Sequence, residues 1–139
     1  MLKGVKQGDP LSALLFCIVL KVIMEKSILP NDTSISTGCV KHTNDAYADD
    51  LGVIAGPLTE LNQMLERIRK YSAEFGLSIN MTQTEVMLIG THDLDVTPEI
   101  DGTPIKIVDT FEYLGRILSR DRSDKLALND RIGKAWGAF

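Results

Sequence analysis

The sequence is poor in the residues that make covalent staples and soft-metal sites. Its only two cysteines are Cys17 and Cys39, which cannot build a disulfide framework or a cysteine metal cluster. Cys17 sits inside an apolar run and reads as a small buried hydrophobe. Such sparse cysteine suits a reducing intracellular compartment. The two histidines, His42 and His92, have no cysteine or histidine at ligand spacing, which argues against zinc. Positive charge is also in deficit: 15 Lys and Arg face 19 Asp and Glu, for a net charge of −4. A self-sufficient nucleic-acid-binding domain is usually basic. Long apolar runs are missing too. Leu11 to Met24 is interrupted by Ser12 and Lys21 and is too short to span a bilayer comfortably. Asp9-Pro10 before it makes a poor signal-peptide start, and no small-residue cleavage site follows closely. The run is expected to be a buried helix, with no membrane partner.

What is present is ordinary globular material. At 139 residues, 44% hydrophobic and 24% charged, one domain with a real core is expected. No internal repeat, low-complexity tract or long linker divides it. The chain is organised around Ala46-Tyr47-Ala48-Asp49-Asp50-Leu51-Gly52-Val53-Ile54-Ala55. Leu51 to Ala55 reads as a buried strand. Two adjacent carboxylates beside it are costly unless compensated, and a divalent cation compensates most strongly. Taken alone, Asp49-Asp50 is more simply a solvated turn.

In chain order, Asp9 as N-cap and Pro10 at the first helical position predict a helix from Pro10 to about Lys26. Its apolar residues lie on every side, so it is expected to be buried nearly all round. Leu29 to Asp32 ends it in a loop. Ser34 to Tyr47 reads as extended, with a strand expected at Gly38 to His42 and a break near Thr43-Asn44-Asp45. Gly56-Pro57 stops the aspartate strand. An amphipathic helix is expected from about Leu58 to Phe75, buried through Leu58, Leu61, Leu65, Ile68 and Phe75, with Gly76 just past its end. Leu77 to Asn80 reads as short and extended, and Thr84 to Ile89 as a buried strand. Val96 to Ile107 reads as a hairpin turned at Asp101-Gly102. Phe111 to Leu118 reads as one more strand. Ser123 to Phe139 reads as a final helix capped by Ser123. Near it, Arg120, Arg122, Lys125, Arg131 and Lys134 form either a basic stripe or, more simply, a solvated face.

The motifs resemble those of reverse transcriptases, in the form carried by non-LTR retrotransposons and group II introns. Gly4-Val5-Lys6-Gln7-Gly8-Asp9-Pro10-Leu11-Ser12 is similar to one family motif, and Tyr47-Ala48-Asp49-Asp50 matches the catalytic aspartate box. Phe75 to Asn80 with Thr84 to Met87 looks like the next palm motif. Phe111-Glu112-Tyr113-Leu114-Gly115 is similar to the primer grip, and Arg131 to Ala135 with Trp136 and Phe139 to the start of the thumb. One such tetrapeptide arises by chance; this ordered series covers essentially the whole chain.

The resemblance implies an α+β fold. A polymerase palm would occupy 1–118, with a small antiparallel sheet backed by two helices, and residues 119–139 would begin the thumb. The fingers and an earlier palm strand with another catalytic aspartate would lie upstream, making this chain a fragment. The implied activity is RNA-directed DNA polymerisation, with an RNA template, a DNA primer, dNTPs and Mg²⁺, or Mn²⁺, as partners. In a eukaryotic retrotransposon the parent would be nuclear. Asp49 would be the main metal ligand and Asp50 a nearby one with a less direct role, since successive strand side chains point apart. Lys6, Gln7 and Gly8 would line the nucleotide or template side, although Gly8-Asp9-Pro10 is also a plain helix cap. Lys6 stands where the family commonly has Arg and lacks the bidentate fork. Gln83 stands where the family usually has Lys and cannot carry that charge to a triphosphate. Ala13 replaces a common Pro, a local backbone matter. Tyr113, Leu114 and Gly115 would hold the primer end, with core packing an equal reading for Tyr113 and Leu114. The isolated chain is expected not to polymerise. Two rival readings are a non-catalytic palm remnant that at most binds nucleic acid, and a structural α+β domain.

Overall fold

The computed structural model describes residues 8–33, 35–37, 40–90 and 96–121. Two helices carry the architecture. Helix α1 (Pro10–Ser27) begins where Asp9 accepts a hydrogen bond from the Leu11 N–H at 3.0 Å, with Pro10 opening the first turn. Proline costs nothing there, because that N–H has no helical acceptor in any case. The helix ends with the Ile28 N–H bonded back to the Met24 carbonyl. Leu29 to Asp32 then turns as the sequence suggests, its chain closed by Asp32 N–H to Leu29 O and by Leu29 N–H to the Asp32 carboxylate.

Helix α2 (Leu58–Glu74) follows the apolar spacing closely. It stops in a Schellman motif: Gly76 at φ +73 lets Leu77 N–H reach Ser72 O and Gly76 N–H reach Ala73 O. Only a residue free of a Cβ enters that left-handed conformation without strain. The helix buries Leu58, Met64, Leu65, Ile68 and Ser72. Phe75, expected on that face, is exposed instead, because it is the C-cap residue and has left the helical screw.

The strands form pairs rather than one sheet. Among the described residues there are five two-stranded pairings. β1 (Ile35–Thr37) pairs antiparallel with β2 (Val40–His42), and β3 (Asn44–Tyr47) with β4 (Asp50–Val53). The break between β2 and β3 is confined to Thr43, whose carbonyl accepts the Ile54 N–H; Asn44 and Asp45 already belong to β3. β5 (Glu85–Val86) is shorter than the expected Thr84 to Ile89 strand, and its partner is β8 (Lys106–Ile107), in parallel. β6 (Glu99–Ile100) and β7 (Thr103–Pro104) form the hairpin turned at Asp101-Gly102. Leu77 to Asn80 carries no regular structure. Phe111 to Leu118 is not one strand but a second hairpin, β9 (Thr110–Tyr113) with β10 (Arg116–Ser119), turned at Leu114-Gly115. The expected Ser123 to Phe139 helix lies outside the described residues.

The architecture is therefore α+β with two helices and small sheets. A core of Leu65, Val86, Ile100 and Ile105, flanked by Leu61, Ile79, Met81 and Leu88, joins α2 to the later strands. Polar ties reinforce this joint. Asn62 donates to Thr97 O at 2.8 Å and accepts from Glu99 N–H at 3.1 Å, and Glu66 accepts the Asp101 N–H. Arg67 joins α2 to the end of α1: Nε donates to Ser27 O and the guanidinium pairs with Asp32, each at 2.6 Å. A cation there also meets the negative end of the α1 dipole. The expectation that α1 is buried nearly all round holds only near its last turn, at Ile23, Met24 and Ser27. Leu11, Leu14, Leu15 and Ile18 are exposed. No described helix is long and apolar enough to cross a membrane.

Candidate active site

The aspartate pair sits where β3 turns into β4. In the antiparallel register Tyr47 faces Asp50 and Asp45 faces Gly52, leaving Ala48-Asp49 as the two-residue turn. Ala48 takes φ +53 to close it, a left-handed conformation uncommon outside glycine, asparagine and aspartate. Directly opposed residues share a face, and so do alternate ones along a strand. Asp45, Tyr47, Asp50 and Gly52 therefore share one face, and Asn44, Ala46, Leu51 and Val53 the other. The second face meets α1 across an open cleft of about 400 Å³ whose lining includes Cys17, Leu20, Met24, Asn44 and Ala46.

The first face meets the β9–β10 hairpin. A Cβ placed on Gly52 would lie 4.0 Å from Cζ of Tyr113 and 3.7 Å from the Asp45 carbonyl. The Tyr113 ring thus rests over the one position of the face that has no side chain. Phe111, two residues back, stacks on Tyr113 with ring centroids 6.1 Å apart and planes 13° apart. The Tyr113 hydroxyl oxygen is shut off from solvent and makes no hydrogen bond of normal geometry. Its pKa is raised, first by desolvation, then by the Asp45 carboxylate acting as a charge and as an acceptor, and then by Asp50.

The predicted site residues are divided by this geometry. Asp49 occupies the turn and Asp50 opens β4 opposite Tyr47; both are exposed. Tyr113 is brought to the same hairpin. Leu114 and Gly115 form the tip of the neighbouring hairpin at φ +51 and +73. Glycine is at ease there, whereas Leu114 is held in a conformation costly for a bulky residue, with its apolar side chain in solvent. Gly8 is exposed at φ +87, immediately before the Asp9 cap, so the capping role of Asp9 is realised. Lys6 and Gln7 lie outside the described residues. Gln83 is exposed in a turn, where its Oε1 accepts from the Asn80 amide at 2.7 Å. The residue missed by reading the sequence is Asp45. Counting back across a two-residue turn in steps of two would have found it, opposite Gly52 and on the face of Asp50.

No group of three Asp, Glu, His or Cys side chains that could hold a metal occurs among the described residues. Two exposed carboxylates at a hairpin tip still fit a hard cation that keeps several waters and is completed by substrate phosphates, which is how Mg²⁺ is usually held.

Comparison with known proteins identifies the family. Residues 1–118 match the family model described as reverse transcriptase (RNA-dependent DNA polymerase). The chain is 34% identical over 105 residues to the "Retrovirus-related Pol polyprotein from type-1 retrotransposable element R2" of Nasonia vitripennis, covering 76% of this chain and 9% of that protein. The protein of the same description from Popillia japonica is 30% identical over 125 residues, covering 84% of this chain and 21% of that protein. The counterpart from the type-2 retrotransposable element R2DM of Drosophila melanogaster is 33% identical over 78 residues, covering 56% and 7%. The chain thus spans at most 21% of the length of these three relatives. With the aspartate box standing on a hairpin inside the matched segment, the chain belongs to the reverse transcriptase family, in its non-LTR retrotransposon branch.

Proposed function

We propose that this chain forms part of the palm of an RNA-directed DNA polymerase, which extends a DNA primer on an RNA template with dNTPs. Residues 1–118 belong to the palm and 119–139 begin the thumb. The observation that carries this reading is the Tyr47–Asp50 hairpin, which puts two carboxylates at an exposed tip within the segment matched to the family. Asp49 is the main ligand for Mg²⁺ and Asp50 the secondary one. A pair of such ions roughly 4 Å apart would stabilise both the attacking 3′-hydroxyl oxygen and the oxygen leaving with pyrophosphate. The protein's share is positioning, as in phosphoryl transfer generally. The exposed Leu114-Gly115 tip contacts the primer, and Gly8, with Lys6 and Gln7 before it, borders the template or nucleotide.

The 139-residue chain alone does not polymerise, on this reading, because two carboxylates are a bare minimum for the metal pair. Clear Mg²⁺-dependent primer extension by the pure chain, abolished in Asp49→Ala, would overturn that point. Mn²⁺ titration followed by electron paramagnetic resonance tests the site itself. Binding should be lost in Asp49→Ala, and binding indifferent to that substitution would remove the metal assignment.

A second reading, a palm remnant that binds nucleic acid without turnover, is favoured by Gln83. Its amide oxygen is engaged by Asn80, and it has no charge to offer a triphosphate. Salt-dependent binding of a primer–template duplex without synthesis in a longer parent chain would support it.

A further inference from the structure

The tripeptide Tyr113-Leu114-Gly115 is split by the structure into two parts that face different ways of working. Leu114 and Gly115 form an exposed tip. Tyr113 points back onto the aspartate hairpin, its ring beside Gly52 and its hydroxyl buried without a bond. A buried phenol without an acceptor is costly, and buried polar groups nearly always find a partner. Asp45 stands across the ladder from Gly52, so its side chain belongs to the face that the Tyr113 ring covers. Asp45 also joins no three-ligand group with Asp49 and Asp50, which leaves its carboxylate available as an acceptor.

We propose that Tyr113 and Asp45 are a positioning pair. The Tyr113 hydroxyl donates to the Asp45 carboxylate and latches the β9–β10 hairpin onto the β3–β4 hairpin, fixing the strand that carries Asp50. Tyr113 is then a brace for the metal-binding carboxylates rather than a contact to the primer. The functional consequence rests on the metal site proposed above; the latch itself does not. Gly52 is part of the device, because any side chain larger than alanine there would lift the ring. The raised pKa of the phenol, with desolvation, Asp45 and Asp50 as its causes, agrees with this placement.

The test uses the full 139-residue chain and the variants Tyr113→Phe, Asp45→Ala, Asp45→Asn and the Tyr113→Phe/Asp45→Ala double variant. Tyr113→Phe keeps the ring, so the fold is retained. Urea midpoints should be lowered by each loss-of-latch substitution, and the double variant should fall no further than the worse single one. Asp45→Asn, which keeps an acceptor, should restore most of the midpoint lost in Asp45→Ala. Tyr113→Phe should also weaken Mn²⁺ binding about tenfold, as removal of a group supporting metal ligands commonly does. Additive midpoint losses, or no rescue by asparagine, would overturn the latch. Should Asp45→Ala fail to fold, the ¹³Cζ resonance of Tyr113 is compared between the parent chain and Asp45→Asn, and it must move for the latch to stand. Coupled midpoints with unchanged Mn²⁺ affinity in Tyr113→Phe, while Asp49→Ala still abolishes binding, would overturn the positioning role. Mn²⁺ binding that ignores Asp49→Ala would instead sink the metal site and leave the latch standing.

Discussion

Helices α1 and α2 are nearly equal in length, 18 and 17 residues, and they pack on each other, yet they are built in opposite ways. α2 separates its apolar stripe from a charged face and finds a partner for each part of that stripe. Met64 meets the interior, and Leu65 joins Val86, Ile100 and Ile105. α1 is apolar on all sides and covers only its last turn, leaving Leu11 and Leu14 57% and 58% exposed. An amphipathic helix asks for one layer of partners, and the described residues supply it. A helix apolar all round asks for two or more, and the described residues supply one. The aspartate hairpin lies beside the sparsely covered helix, while the well-packed core lies on the α2 side.

Substitutions sharpen this contrast. The largest effect is expected for Met64→Ala, which opens a hole in a fully buried position and should cost about 2–5 kcal/mol in urea unfolding. A loss under about 1 kcal/mol would mean that the α2 side is no better packed than α1. Next comes Arg67→Ala. It strands the Asp32 carboxylate, whose side chain is 9% exposed in the ion pair, and frees the Ser27 carbonyl. A cost of about 3 kcal/mol is expected, the low end for breaking a buried pair from one side. Since Arg67 is the more buried of the polar ties between the helices, the other being the Lys26–Glu74 pair among the described residues, α1 amides should lose hydrogen-exchange protection before those of α2.

Acid should weaken the α2 side in a predictable sense. The Asp101 N–H lowers the pKa of Glu66 most, partial burial opposes it, and Arg69 lowers it further. A carboxyl depressed in the folded state stabilises fully above its unfolded pKa. That contribution fades as pH falls through the lower, folded value. Glu66→Gln should therefore flatten the acid limb of the stability curve, and an unchanged limb would count against this tie between α2 and the β6–β7 turn. The smallest effect is expected for Leu14→Ser, within about 0.5 kcal/mol of the parent, because its side chain is already in solvent. A loss of several times that would show α1 to be covered after all.

Much of this was legible beforehand because it is local. Asp9-Pro10 marked the start of α1, the apolar spacing and Gly76 marked α2, and Asp101-Gly102 marked its hairpin, each through the conformations those residues favour. Leu114-Gly115 hid the other hairpin, since leucine is a poor left-handed residue and only the pairing of Tyr113 with Arg116 and Phe111 with Leu118 holds it there. The parallel pairing of β5 with β8 was equally invisible: its partners are 21 residues apart, and nothing in either dipeptide names the other. At the site, Asp49 and Asp50 stood out as adjacent like charges beside an apolar strand, whereas Asp45 had no mark of its own.

The sequence by itself determined the family, the two helices and the aspartate turn, because ordered motifs, caps and periodicity are written in neighbouring residues. Tertiary structure alone decided which face of that turn is covered, that Gly52 is the seat of Tyr113, and that Asp45 shares the covered face. Those facts depend on one hairpin docking against another, and docking follows from the register and burial of residues some sixty positions apart, beyond the reach of any local pattern.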